Sequence, residues 1–167
     1  TSDCPLMDYK IVDRVINKFN LSKADYVSNT HPPTFPDGFD IEVFNYEVLK
    51  RVFFEAKKNF QREHVTPYIW DNPKKFKINN YRNLSDHNYY EKFRLTLDYI
   101  EDYYVIWKIY DELYPKKKFF EFKDIIKYIK INNHLLINRK YLKVNWYRHH
   151  LDELKTIKKK DTKIKFF

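Results

Sequence analysis

Apolar residues recur along the 167-residue chain with two periods, one helical and one strand-like, and their alternation sets out a layered α/β domain. Asp8 can cap a helix whose apolar positions Ile11, Val12, Val15, Ile16 and Phe19 follow helical spacing. A short strand from Ala24 to Ser28 comes next. It is followed by His31-Pro32-Pro33-Thr34-Phe35-Pro36, which must be a loop because it offers few backbone donors and fixes φ repeatedly. A turn at Gly38 leads into a strand from Phe39 to Phe44, and Asn45 opens a helix with Val48, Leu49, Val52, Phe53 and Ala56 on one face. A short helical segment from Glu63 to Trp70 stops before Asn72-Pro73.

Two further strands, Phe76 to Tyr81 and Phe93 to Leu97, flank the polar loop Ser85-Asp86-His87-Asn88, and the second of them ends on Asp98. An amphipathic helix then buries Val105, Ile106, Ile109, Tyr110 and Leu113 and stops at Pro115, and another runs from Phe122 to Ile131. Residues 1–137 read as one domain and 138–167 as a basic C-terminal extension, frayed over Lys155 to Lys165. Neither an internal repeat nor a second domain is visible in the sequence.

Gly38 is the single glycine of the chain and lies within Pro36-Asp37-Gly38-Phe39-Asp40. A chain that uses glycine once has a backbone demand there, either a positive φ or a close approach that a Cβ would prevent. Elsewhere Lys, Asn, Ile, Tyr and Phe are abundant while Gly and Ala are scarce, the composition that A/T-rich codons produce. The net charge of +9 therefore argues weakly for a nucleic-acid or anionic partner, and the basic residues are overwhelmingly lysine rather than the arginine that forked phosphate contacts favour. We expect neither nucleic acid nor membrane as a partner. Cys4 is the lone cysteine, which excludes an internal disulfide framework and fits a reducing, cytoplasmic setting. No apolar run approaches the length of a membrane span. Thr1-Ser2-Asp3-Cys4-Pro5 resembles a turn that follows a strand, and no Met precedes it, so a C-terminal fragment is the expectation.

Four islands carry candidate chemistry. Asp3 lies where a strand missing from this sequence would end, and Asp98 where a later strand ends, the place where ligands collect in open α/β sheets; two carboxylates there can converge on one hard cation, or each can cap the turn or helix that follows. Gln61-Arg62-Glu63-His64-Val65-Thr66-Pro67-Tyr68 packs a cation, an anion, an imidazole and a hydroxyl together, and reads equally as a solvated helix start with Glu63 favoured by the helix dipole. In Asp37-Gly38-Phe39-Asp40-Ile41-Glu42, strand alternation sends Asp40 and Glu42 to one face, where they can accept hydrogen bonds from sugar hydroxyls or form the polar outside of a hairpin. His134 with His149-His150 lacks zinc-site spacing, Cys4 has no histidine near it in sequence to make it a nucleophile, and a phosphate loop needs more glycine than this chain has.

Taken in order, Ser2-Asp3-Cys4-Pro5-Leu6-Met7-Asp8, Ala24-Asp25-Tyr26-Val27-Ser28-Asn29, Pro36-Asp37-Gly38-Phe39-Asp40-Ile41-Glu42-Val43-Phe44, Arg62-Glu63-His64-Val65-Thr66-Pro67-Tyr68 and Leu95-Thr96-Leu97-Asp98 resemble the C-terminal part of a cytidylyltransferase. The resemblance is to the spore-coat polysaccharide biosynthesis protein F group, relatives of the acylneuraminate and CMP-KDO synthetases, and it covers Thr1 to Ile131. It implies a Rossmann-like, three-layer nucleotide-diphospho-sugar transferase fold with a mostly parallel sheet. It also implies transfer of CMP from CTP to a sugar, expected to be acidic, with release of pyrophosphate, in surface polysaccharide or glycan synthesis. Asp3 and Asp98 match the family's metal-binding aspartates, with Mg²⁺ as the implied cofactor; Asp37, Gly38, Asp40, Glu42, Arg62, Glu63 and His64 match its sugar side. In those terms Asp40 or Glu42 would hold hydroxyls, Arg62 would meet an acidic group and His64 would orient the acceptor, and the assembly would be a homodimer.

Two departures qualify the resemblance. The Gly/Ser/Arg-rich nucleotide loop that ends in Lys has no counterpart in this sequence, and Ile100 stands where relatives often carry Pro. This segment alone is therefore not expected to turn over CTP. The competing reading is a non-catalytic fragment or interaction module that acts through its basic surface.

Overall fold

Asp8 starts a helix as its position predicts. One carboxylate oxygen accepts the Lys10 N–H at 2.8 Å and opens α1 (Tyr9–Ser22), and the other accepts the Phe122 N–H at 2.8 Å, so one buried side chain ties two helix starts together. The computed structural model in which this is seen describes residues 2–83, 87–144, 152, 154 and 155. Ser85 and Asp86 of the polar loop, His149-His150 and the lysines beyond 155 lie outside the described residues.

The elements run β1 (Tyr26–Ser28), β2 (Glu42–Phe44), α2 (Tyr46–Glu55), α3 (Asn59–His64), α4 (Pro67–Trp70), β3 (Ile78–Asn80), α5 (Ile100–Leu113) and α6 (Phe122–Ile131), with two 3-10 turns after α6. The sheet has the order β2-β1-β3; β2 pairs antiparallel with β1 and β3 pairs parallel, Val27 facing Val43 on one side and Asn79 on the other. Successive residues of β1 point to opposite faces, and both faces are covered. Val27 joins a core with Ile11 and Val15 of α1, Val105 and Ile109 of α5, and Ile125 and Ile129 of α6. Tyr26, fully buried on the other face, joins Val48 and Val52 of α2 with Phe60, Ile69 and Phe76. This is a helix–sheet–helix layering in an α/β domain.

Three expected elements take another form, each for a local reason. The strand expected over Phe39–Phe44 forms ladder pairs only at Glu42–Phe44. Ahead of it the buried Asn29 side chain takes the place of a strand edge, donating to the Phe39 carbonyl at 2.6 Å and accepting the Ile41 N–H at 2.8 Å. The segment Phe93–Leu97 is extended, but its pairing is a single parallel bridge between Arg94 and Asp37. Its backbone bonds reach two turns, Leu95 N–H to the Asp37 carbonyl and Leu97 N–H to the Asp3 carbonyl, each at 2.8 Å. The helix expected over Glu63–Trp70 is two helices, because Val65 takes φ 61 and ψ −64 and Pro67 starts the second. On the C-terminal side of the expected boundary at 137, Asn138 is buried within the domain, and Leu154 packs in the second core while the Lys155 N–H reaches Asp71.

Gly38 meets both demands that its solitude suggested. Its φ is +99, and the Phe39 N–H closes a turn onto the Pro36 carbonyl at 3.1 Å, the positive φ falling at the third turn position as in a type II turn. A Cβ there would lie 2.3 Å from the Leu95 carbonyl oxygen and 2.5 Å from the Thr96 nitrogen. The turn is thus pressed against the segment that carries Arg94 and leads to Asp98.

Candidate functional site

Beside that turn, a cavity of about 260 Å³ opens between the loop 30–33, the turn residues Asp37 and Asp40, Glu42 of β2, and His64, Thr66 and Trp70 from the α3–α4 connection. Glu42 sits on its wall. The fully buried Tyr26 hydroxyl donates to one carboxylate oxygen, and Thr66 Oγ1 donates to the other at 3.2 Å. Protein crowding around the carboxylate raises its pKa, and the two hydrogen bonds partly oppose that rise. His64 and Thr66 reach the same cavity because the backbone folds back between them: the Thr66 N–H donates to the His64 carbonyl at 2.7 Å across Val65. A β-branched residue at positive φ is strained, and here the strain places two polar side chains on one wall.

His31 lines the cavity from the opposite loop. Its ring packs against Trp70, tilted by 32° with centroids 4.5 Å apart, and Nδ1 lies 2.7 Å from Thr30 Oγ1. Burial lowers its pKa to about 4, so the ring is uncharged at neutral pH. Its backbone N–H donates to Asn80 Oδ1 at 3.2 Å, and Asn80 Nδ2 donates to the Pro32 carbonyl at 3.0 Å, so the end of β3 clamps the loop on both sides of the ring.

A second cluster adjoins the cavity at Asp37. Arg94, 3% exposed, directs its guanidinium at three carboxylates: Nη1 to Asp37 at 3.1 Å, Nη2 to Asp98, and Nε to Asp102 at 3.1 Å. Asp102 is fully buried; it accepts the backbone N–H groups of Asp98 and Tyr99 at 3.1 and 3.0 Å, and the Asn138 amide at 2.8 Å. Asp102 rather than Asp98 therefore caps α5. Burial alone would lower the Arg94 pKa, but the hydrogen bonds and charge of Asp102, followed by the charges of Asp37 and Asp98, outweigh it and hold the pKa above its ordinary value.

Asp3 lies at the far end of this cluster. Its carbonyl accepts Leu97 N–H and, at 3.1 Å, Thr96 Oγ1, which fixes it beside the residues that lead into Asp98. Its Oδ1 is buried and has no hydrogen-bond partner among the described residues. A buried carboxylate oxygen left without a donor is costly, and a cation is the partner that would satisfy it. Among the described residues no group of three or more His, Cys, Asp or Glu side chains is arranged to hold a metal. Two carboxylates suit Mg²⁺ when substrate phosphates supply further oxygens.

The residues expected from the sequence thus fall into three groups. Asp37, Asp40, Glu42 and His64 line one cavity, and Gly38 shapes the turn that carries the first two. The Asp3 carbonyl is held by Leu97 N–H and Thr96 Oγ1, in the segment that leads into Asp98. Arg62 and Glu63 do not line the cavity: Arg62 donates to the Phe53 and Ala56 carbonyls at 3.4 and 3.5 Å and lies over the Phe53 ring, and Glu63 is exposed. Arg94, Asp102 and His31 escaped the sequence reading. A lone arginine within the otherwise uncharged run Phe93–Leu97 was a usable signal, and an acid at the third position of α5 another; His31 sits in a proline loop and gave none.

Comparison with known proteins agrees with the architecture. A family model described as cytidylyltransferase matches residues 1–154. An uncharacterized protein, MJ1063, of Methanocaldococcus jannaschii is 36% identical over 113 residues, which make up 68% of this chain and 43% of that protein. A solved cytidylyltransferase from Leptospira borgpetersenii serovar Hardjo-bovis aligns with a TM-score of 0.72 and 34% identity, over 81% of this chain and 56% of that one. The chain therefore spans less than half the length of the curated relative and little more than half of the solved structure.

Proposed function

Because the chain belongs to the cytidylyltransferase family, we propose that the full protein transfers CMP from CTP to a sugar and releases pyrophosphate, the sugar hydroxyl attacking the α-phosphorus. The observation that carries this reading is the join between two unlike sites. Asp37 lines the cavity and also pairs with Arg94, which in turn pairs with Asp98, the residue after the Leu97 whose N–H holds the Asp3 carbonyl. A polyol and a polyphosphate could therefore be held side by side, which is most of what phosphoryl transfer asks of a protein.

In this reading Asp3 and Asp98 hold a divalent cation, Mg²⁺, which when bound neutralises the triphosphate and the departing pyrophosphate. Asp40 and Glu42 accept hydrogen bonds from sugar hydroxyls. Glu42 is suited to that task because Tyr26 and Thr66 fix its carboxylate from behind. His64 orients the acceptor from the α3–α4 connection. The family resemblance points to an acidic sugar and to surface polysaccharide or glycan synthesis as the setting. Arg62, expected to meet an acidic group, has no part in the proposal, since it lies outside the cavity, with its guanidinium at the Phe53 and Ala56 carbonyls.

The test is pyrophosphate release by the full-length protein from CTP, Mg²⁺ and a panel of acidic, neutral and amino sugars, with Asp98→Asn and Asp3→Asn alongside. We expect activity with at least one sugar and a loss on the order of 100-fold in each variant. Unchanged turnover in Asp98→Asn would sink the assignment of the cation site.

A further inference from the structure

We propose that Glu42 is the catalytic base of the transfer, the carboxylate that takes the proton of the attacking sugar hydroxyl. The proposal rests on the cytidylyltransferase reading and deepens it, turning a carboxylate that binds hydroxyls into one that activates the nucleophile.

Two elements fix this carboxylate from behind. Tyr26 stands opposite Phe44 in the β1–β2 ladder, so Glu42, two residues earlier, is its diagonal neighbour on the same face, within reach of a long aromatic side chain. The register thus delivers the Tyr26 hydroxyl to Glu42 Oε1, and the fully buried Tyr26 ring stacks on Phe44 with centroids 6.4 Å apart. Thr66, buried on the α3–α4 connection, donates to Oε2 at 3.2 Å. One donor on each oxygen sets the plane of the carboxylate, and with about four lone-pair sites it can accept from a further hydroxyl. Glu42 is exposed at the cavity surface, so a ligand seated there can reach it, yet protein crowds the carboxylate closely enough for desolvation to raise its pKa. That direction suits a base, because proton transfer is most effective when the pKa of the acceptor lies near the working pH.

The other titratable groups on the cavity wall are Asp37, Asp40, His31, His64 and Tyr90. Asp37 is engaged by Arg94 Nη1 at 3.1 Å, and Asp40 precedes the ladder that holds Glu42 in place. His31, whose pKa burial lowers to about 4, holds a proton weakly. His64 is the alternative proton acceptor. In the step assigned to Glu42 the sugar oxygen bonds to the α-phosphorus while the bond from that phosphorus to the bridging oxygen breaks, and pyrophosphate leaves with the electron pair. The hydroxyl proton passes to a Glu42 oxygen and from there to water once the CMP-sugar has departed.

The experiment uses the full-length protein with CTP, Mg²⁺ and the most active sugar from a panel of free hexoses, hexosamines and nonulosonic acids. Pyrophosphate release is followed in single turnovers, so that slow product release does not mask the proton transfer. Glu42→Gln keeps a hydrogen-bond acceptor but takes up no proton; its rate at saturating sugar is expected to fall on the order of 100-fold or more, with the sugar KM changed by less than about 10-fold. The wild-type rate declines at low pH as Glu42 becomes protonated, and this acid limb is absent from Glu42→Gln. Tyr26→Phe keeps the buried ring but removes a hydrogen bond that opposes the rise in the Glu42 pKa, so the limb moves to higher pH, which a merely structural role for Tyr26 would not cause. A smaller fall in rate for folded Glu42→Gln, a loss confined to the sugar KM, or an acid limb that persists in that variant and so belongs to another group such as His64 overturns the proposal. Should Glu42→Gln fail to fold, Tyr26→Phe decides, and an unmoved limb overturns the assignment. Absence of turnover by the wild type with every sugar removes the cytidylyltransferase reading itself and this proposal with it, whereas an active enzyme indifferent to Glu42→Gln removes this proposal alone.

Discussion

Replacing Gly38 with alanine tests the backbone argument on which the site depends. Two costs can be worked out separately. At φ +99 an L-residue has left its allowed regions, and the left-handed conformation alone costs roughly 1–2 kcal/mol. The added Cβ would also lie 2.3 Å from the Leu95 oxygen, 2.4 Å from its carbonyl carbon and 2.5 Å from the Thr96 nitrogen. All three are backbone atoms, so no side chain can swing aside, and overpacking of this kind costs roughly 1–3 kcal/mol. Alanine stiffens the unfolded chain and returns about 0.4–1 kcal/mol. The net loss is therefore about 1–5 kcal/mol, a large share of the roughly 5–15 kcal/mol that holds a domain folded. Relief can come only by parting the turn from the 93–97 segment, which breaks the 2.8 Å bond from Leu95 N–H to the Asp37 carbonyl and shifts Asp37 relative to Arg94. Urea unfolding followed by tryptophan fluorescence and circular dichroism measures the loss, and an unchanged m-value keeps the comparison clean. A loss below about 1 kcal/mol would refute the claim that strain and contact both act, since together they predict at least that much after the unfolded-state offset.

Two further outcomes follow from the same geometry. Arg94→Met leaves Asp102 fully buried without its guanidinium, and stability measured by urea unfolding falls by about 3–5 kcal/mol; adding Asp102→Asn recovers part of that loss, and a single variant as stable as the wild type would show that the cluster contributes nothing to folding. His31 is held at about pH 4 against an ordinary 6.5, so the unfolded chain binds the extra proton first, and stability that is full above pH 6.5 is lost as the pH falls toward 4. The interval corresponds to about 3 kcal/mol, and His31→Gln should flatten that part of a plot of stability against pH, with equal slopes in both proteins counting against burial as the cause.

The parts of the fold that could be read from sequence are those where one residue decides the outcome locally. Asp8 and Asn45 begin helices because a side-chain oxygen two or three residues upstream satisfies an exposed N–H, and that needs no tertiary knowledge. The extended segments were harder. Asn29 is an ordinary polar residue in sequence, yet by imitating a strand edge it decides where the ladder of β2 begins. Phe93–Leu97 alternates like a strand, but its partners are two turns, Asp37 and Asp3, that are distant from it and from each other in sequence. Val65 breaks a helix through a φ that its residue type gives no reason to expect.

The same distinction separates the candidate site into legible and hidden halves. The cavity carboxylates were legible because Asp37, Asp40 and Glu42 lie within one short segment around the solitary Gly38, whereas the groups that give them direction came from elsewhere in the chain. Arg94 shows why. Its value lies in facing Asp37, Asp98 and Asp102 at once, one from a turn, one following its own segment and one from α5, and that convergence exists only after the domain has closed. The planar fork with several fixed donors makes arginine the side chain for this position, as lysine would offer a single point charge to three acceptors. One guanidinium opposite three carboxylates leaves negative charge in excess among these four groups, and the excess is nearest the protein surface at Asp98, whose side chain is 47% exposed while that of Asp102 is 0%. The Asp3 carbonyl accepts the N–H of Leu97, the residue before Asp98, and Asp3 Oδ1 is buried with no hydrogen-bond partner among the described residues. Arg94 can therefore hold the cluster together without saturating it, and of the three carboxylates the exposed Asp98 is the one at which further positive charge is electrostatically favoured.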